Sequence, residues 1–151
     1  MTNLRQVTYC GLYCDLCGRN QLVPKQARDL RETLHKGGME IWGSAEPDFQ
    51  EFWRFLGKLS EQRCSCREET CGSPHCKVRK CASGKGVDVC PFCNEYPCDW
   101  ILGLAKGYTM MLGDGKRMKE IGLDKWVEEQ EARKTTGFVY TMIRCHPYTV
   151  P

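Results

Sequence analysis

Eleven of the twelve cysteines in this chain fall into two groups, and their spacing restricts what the chain can fold into more than any other feature. Cys10, Cys14 and Cys17 lie together in the run CGLYCDLC. Eight more, Cys64, Cys66, Cys71, Cys76, Cys81, Cys90, Cys93 and Cys98, occupy thirty-five residues. Cys14 and Cys17, and again Cys90 and Cys93, are two residues apart, the spacing at which two thiolates of one tight turn reach the same metal ion. Disulfides are the other use of so many cysteines, but they call for an oxidising compartment. The opening MTNLRQVTYC lacks the apolar stretch of a signal peptide. The expectation is metal-bound thiolates in a soluble, cytoplasmic protein. Cys145 stands apart and reads as a small buried hydrophobe.

A length of 151 residues predicts one domain with a modest core, too short for an eightfold enzyme barrel. No apolar run approaches the eighteen or so residues of a membrane span. A net charge of +3 does not by itself point to nucleic acid.

Helices are expected over about 24–61 and about 98–136, on either side of a cysteine-rich core at 64–98, with an N-terminal knuckle at 10–17. Pro24 suits a first helical position, and Ala27, Leu30 and Leu34 recur at helical spacing before Gly37–Gly38. Phe49, Phe52, Trp53, Leu56 and Leu59 form the stripe of a second helix, with Asp48 and Glu51 in its first turn. From Arg63 to Lys85 the periodicity vanishes, as in a loop ordered by metal instead of a core. Trp100, Ile101, Leu104, Tyr108, Met111 and Leu112 predict a further helix, broken at Gly113–Asp114–Gly115. A short helix with Met118 and Ile121 then reaches Gly122, a left-handed C-terminal residue. A last helix capped by Asp124 carries Trp126, Val127 and Gln130. Partial alternation from Phe138 onward predicts a strand or extended arm. The fold expected is mainly α, a small single domain with irregular metal-knuckle loops, in which the two cysteine groups converge.

Tetrahedral Zn²⁺ takes four soft ligands, and a knuckle supplies two. Two of Cys76, Cys81 and Cys98 are expected to complete the site at Cys90 and Cys93. One of Cys64, Cys66 or Cys71 is expected to join Cys10, Cys14 and Cys17. Eleven thiols suffice for about two ions, or for three if His75 contributes.

The motifs CGLYCDLC (Cys10 to Cys17), CKVRKCASGKGVDVCPFCNEYPC (Cys76 to Cys98) and IGLDKWVEEQEAR (Ile121 to Arg133), in that order along most of the chain, resemble the DUF3795 family of small cysteine-rich prokaryotic proteins. The resemblance implies zinc binding and no particular reaction. The chain departs from the family pattern at Cys64–Ser65–Cys66, where a two-residue spacer is commoner. Four-thiolate sites also hold iron–sulfur clusters. Cys10-x3-Cys14-x2-Cys17 has the spacing of radical SAM enzymes, but the chain is too short for their barrel, and Leu16 stands where those enzymes often carry an aromatic residue.

Arg63, Arg67, Lys77, Arg79, Lys80 and Lys85, against Glu68 and Glu69, give the cysteine-rich stretch a positive excess. Four thiolates on Zn²⁺ carry net charge −2, which nearby cations offset, and no stacking aromatics interleave the stretch. Nucleic-acid binding is therefore not expected. His35 reads as a surface residue at a helix end. Asp15 and Asp99 read as turn and cap residues. Cys145–His146 lacks an orienting third group, so no catalytic residue is assigned. Closed four-cysteine sites leave no position for an activated water. The function expected is structural zinc supporting a surface for a protein partner, offered by the C-terminal helices.

Overall fold

The computed structural model describes residues 4–63, 66–68 and 75–143. Cys64, Cys71 and Cys145 lie outside the described residues, as does the end of the expected C-terminal arm. The described chain is mainly helical. Its seven α-helices are α1 (Gly18–Lys36), α2 (Met39–Trp42), α3 (Phe49–Glu61), α4 (Lys77–Gly84), α5 (Asp99–Ala105), α6 (Met111–Ile121) and α7 (Leu123–Thr135). Among the described residues there is no strand; Val7 and Tyr13 form an isolated antiparallel bridge. None of these helices is long and apolar enough to cross a membrane.

Two compact units divide the chain, Gly18–Arg63 and the segments on either side of it. Every cysteine belongs to the second of these. In the unit without cysteines, α1 and α3 pack together as expected, burying Pro24 and Ala27 from one and Phe49 and Leu56 from the other. The Phe49 and Trp53 rings stack at 5.7 Å, the Arg31 guanidinium lies 5.2 Å from the Trp53 ring centre, and Arg28 Nη1 donates to the Ser60 carbonyl at 2.8 Å. Pro24 does not open α1 but sits inside it. The helix already begins at Gly18, after Cys17 in extended conformation, so its start lies ahead of the proline. The end is as expected: Gly38 has φ +73°, which favours glycine.

The cysteine-bearing unit has two apolar clusters. The larger joins Val7, Tyr13, Leu16, Val89, Met118, Trp126 and Tyr140. In it the Tyr13 ring meets Trp126 edge-on, and the Tyr13 N–H donates to Tyr140 Oη at 2.9 Å. The smaller is Val78, Ile101 and Met111, with Cys10, Cys76, Cys90 and Cys98 packed against it.

Four expectations need correction here. Residues 77–84 form α4 in a stretch expected to be loop, because Val78 and Ala82, four apart, turn one helical face inward. The pattern from Trp100 to Leu112 is two helices with a turn at Lys106–Gly107 between them. Gly113–Asp114–Gly115 does not break a helix but lies within α6. Buried Asp114 accepts from Arg133 Nη1 of α7 at 3.0 Å, and a Cβ on Gly115 would lie 2.0 Å from Tyr96 Oη. Tertiary contacts thus hold helical a triplet that reads locally as a turn. Finally, Gly122, with φ +82° and ψ 162°, ends α6 and also caps α7, so Asp124 lies in the first turn and is not the cap. Beyond α7, Tyr140–Met142 is a 3₁₀ turn.

Gly113 and Gly115 predict opposite effects of the same substitution. Nothing lies within 4 Å of a Cβ at Gly113, so Gly113→Ala stabilises by about 0.5–1 kcal/mol. Gly115→Ala destabilises by about 1–3 kcal/mol through overpacking against Tyr96. Denaturant midpoints at constant m-value check both.

Candidate metal centre

Both Cys-x-x-Cys segments fold the same way. Cys14 opens a 3₁₀ turn and the Cys17 N–H returns to the Cys14 carbonyl at 3.0 Å; Cys90 opens another and the Cys93 N–H returns to the Cys90 carbonyl at 2.8 Å. In each, the residue before the first cysteine and the second cysteine itself are extended. The tight turn expected of a knuckle therefore occurs twice. No disulfide joins any of the nine described cysteines.

Around the second knuckle, Cys81, Cys90, Cys93 and Cys98 line one pocket, together with Lys85, Glu95, Tyr96 and Trp100. They come from three places: Cys81 from α4, Cys90 and Cys93 from the 3₁₀ turn, and Cys98 from the N-cap of α5, where its carbonyl accepts from the Leu102 N–H at 2.9 Å. Of the three residues open as partners of this knuckle, Cys81 and Cys98 line the pocket. Cys76 does not; it packs against the smaller core cluster. Across the pocket Lys85 Nζ donates to Glu95 at 2.5 Å, and Lys77 Nζ lies 4.3 Å from the Trp100 ring centre.

The N-terminal thiols form the other group. Cys10 sits in a loop whose ends are tied by Thr8, which accepts from the Leu12 N–H at 2.9 Å; Thr8 Oγ1 is also 3.1 Å from Cys10 Sγ. Burial raises the Cys10 thiol to about 11, and the Cys66 and Cys76 thiols add to the effect. Burial likewise raises Cys14 to about 12, with further upward contributions from Cys66 and then Cys17. The Cys66 backbone hydrogen-bonds the Cys14 thiol, which places Cys66 beside Cys14. Cys90 rises to about 12, again through burial first and then through Cys10, Cys98, Cys93 and Cys81. The Cys90 N–H donates to the Tyr9 carbonyl at 2.7 Å, and Cys10 and Cys90 pack against the same apolar cluster, so the two cysteine groups converge there.

Without a cation these thiols stay protonated, because each thiolate would be poorly hydrated and set against others. Among the described residues no three His, Cys, Asp or Glu side chains are arranged to hold an ion as they stand. The donor chemistry nonetheless fits a soft divalent metal: four thiols around one pocket, whose side chains would have to turn inward on a cation that favours their ionised form. His75 is exposed and does not line the pocket. His35 is exposed beside Glu40. Asp15 takes Lys134 Nζ at 2.6 Å, and Asp99 lies exposed in the first turn of α5.

Arg67 has a role its sequence context does not reveal. In place of a diffuse counter-charge, it is a clasp: Nε donates to the Val7 carbonyl at 2.9 Å, Nη2 to the Asp88 carbonyl at 2.5 Å, and the guanidinium lies 4.0 Å from the Tyr9 ring centre. Arg79, by contrast with half-buried Arg67, is buried. Nothing in periodicity or motif marks Arg67, since its partners are backbone carbonyls of distant segments. Arg67→Ala is expected to destabilise by about 1–3 kcal/mol in urea unfolding. Arg67→Lys should retain most of that loss, because an ammonium cannot span both carbonyls and stack on the ring.

The sequence model of a family described as "Protein of unknown function (DUF3795)" matches residues 6–102. All eleven clustered cysteines fall inside that match, whereas α6, α7 and the Ile121–Arg133 motif lie beyond it. No curated protein and no solved structure matches the chain. With nearly two thirds of its length matched, the chain belongs to the DUF3795 family.

Proposed function

We propose that this is a zinc protein whose two thiolate sites are structural and hold the surface that meets a protein partner. One ion is assigned to Cys81, Cys90, Cys93 and Cys98, and the other to Cys10, Cys14, Cys17 and Cys66. Cys64 and Cys71, both expected among the ligands, lie outside the described residues. The observation that carries the reading is the single pocket lined by four thiols from three separate elements. The repeated knuckle geometry at Cys14–Cys17 supports extending it to the second site.

Zinc bound there would supply a fixed divalent charge that ionises the thiols and ties α4, the knuckle and α5 together. Four thiolates leave no open position for water, so the role is scaffolding and not hydrolysis. Thiolates of this kind persist in a reducing compartment, which favours the cytoplasm.

Untagged protein purified without air is expected to contain about two zinc per chain and to show no visible absorption. Cys90→Ser with Cys93→Ser should remove one equivalent, and Cys14→Ser with Cys17→Ser the other. Cys76→Ser and Cys145→Ser should leave both. Chelation should abolish the cooperative thermal transition, since the binding energy of a structural ion contributes directly to folding. Iron with matching acid-labile sulfide, or no bound metal, contradicts the assignment.

A further inference from the structure

Among the described residues nine large hydrophobic side chains are exposed, and five of them, Leu30, Ile41, Trp42, Phe52 and Phe55, lie in the unit without cysteines. None lies on α6 or α7. Among the described residues the apolar surface available to a partner lies mostly outside α6 and α7, with Trp100 and Leu102 of α5 exposed among the C-terminal helices. Its most ordered part is α3, which is apolar on two sides. Phe49, Trp53, Leu56 and Ser60, at spacings of three and four, are the stripe laid on α1. Phe52, Phe55 and Leu59 repeat the same spacing on another face, with Phe52 41% and Phe55 60% exposed.

Charge decides what covers that second stripe. The unit carries eight basic and seven acidic residues, a net charge of +1, which selects neither an anionic membrane nor a nucleic acid. On α3, however, exposed Glu51 and Lys58 flank one edge of the stripe seven residues apart, and neither forms an ion pair among the described residues. About Phe55, Phe52 and Leu59 lie on one side of the helix, three residues before it and four after it, and Glu51 and Lys58 lie on the other side, four before and three after. If two such helices pack antiparallel with Phe55 on the two-fold axis, Phe55 meets Phe55. Phe52 then meets Leu59 of the other copy, and Glu51 meets its Lys58, twice over. This self-complementarity is what an isologous interface requires.

We infer that the Phe52–Phe55–Leu59 face of α3 is a homodimer interface, with a second copy of this chain as its occupant. The inference goes beyond the metal-held surface proposed above, since α3 lies in the unit without cysteines, and it does not depend on the metal. Zinc measured on the same samples separates failure of one from failure of the other.

Sedimentation equilibrium of the full chain, as purified, tests it. The mass should rise with concentration from 17.3 kDa toward twice that value, with a dissociation constant on the order of micromolar, as befits a small interface. Glu51→Lys and Lys58→Glu should each weaken association about tenfold by setting like charges opposite one another. The double variant carrying both exchanges, and an equimolar mixture of the two single variants, should each recover it. Phe55→Glu should give a monomer at every concentration; since the ring is exposed, helix content by circular dichroism should not change. A wild-type monomer at all concentrations overturns the inference. So does a dimer indifferent to Phe55→Glu, or a double exchange that recovers nothing.

Discussion

The Cys90 N–H donates to the Tyr9 carbonyl at 2.7 Å, and the rest of the cysteine-bearing unit is arranged around that contact. It closes a very long loop, whose entropy a single hydrogen bond cannot offset. The contact therefore depends on what lies behind and beside it. Val7 and Val89 are fully buried next to it, Gly11 brings the backbone against the Pro91 ring, and Arg67 holds the Val7 and Asp88 carbonyls from a third segment. Gly11 has φ +91°, and a Cβ there would stand 3.3 Å from Pro91 Cγ; only glycine meets both conditions.

This junction determines where the thiols go. Cys10 follows directly on Tyr9 and Cys90 lies two residues after Asp88, both held by the Arg67 clasp, so the two cysteines are brought close from distant parts of the sequence. Burial then makes each costly to ionise, and neighbouring thiols raise the cost further. A group of thiols kept protonated by one another is also a group whose ionisation a soft cation rewards. The polypeptide brings the donors together through ordinary packing and backbone hydrogen bonds. The proposed ions then supply what a small core with thiols against its Val78, Ile101 and Met111 cluster lacks.

Spacing made the knuckles legible: two residues between cysteines predicted a tight turn, and both turns are present with the same backbone bond. Periodicity made the helix α3 legible but not its inward stripe, since Phe52 and Leu59, read with Phe49, Trp53 and Leu56, lie on another face and Ser60 takes the inward place. The failures share one cause. Gly113–Asp114–Gly115 and Pro24 are local signals of a break or a start: Arg133 and Tyr96 override the triplet, and α1 already runs from Gly18 when it reaches the proline. Arg67 was illegible for a related reason. It binds carbonyls that every residue possesses, so no residue type at the far end announces the contact. The partner choice among Cys76, Cys81 and Cys98 needed three dimensions, because α4 turns Cys81 toward the pocket and leaves Cys76 at its N-cap.

X-ray absorption spectroscopy of the metal in the purified protein tests the central claim most directly. The account predicts zinc with an all-sulfur first shell of four ligands at about 2.3 Å. A shell containing nitrogen or oxygen, or an iron edge with a short iron–iron distance, contradicts it.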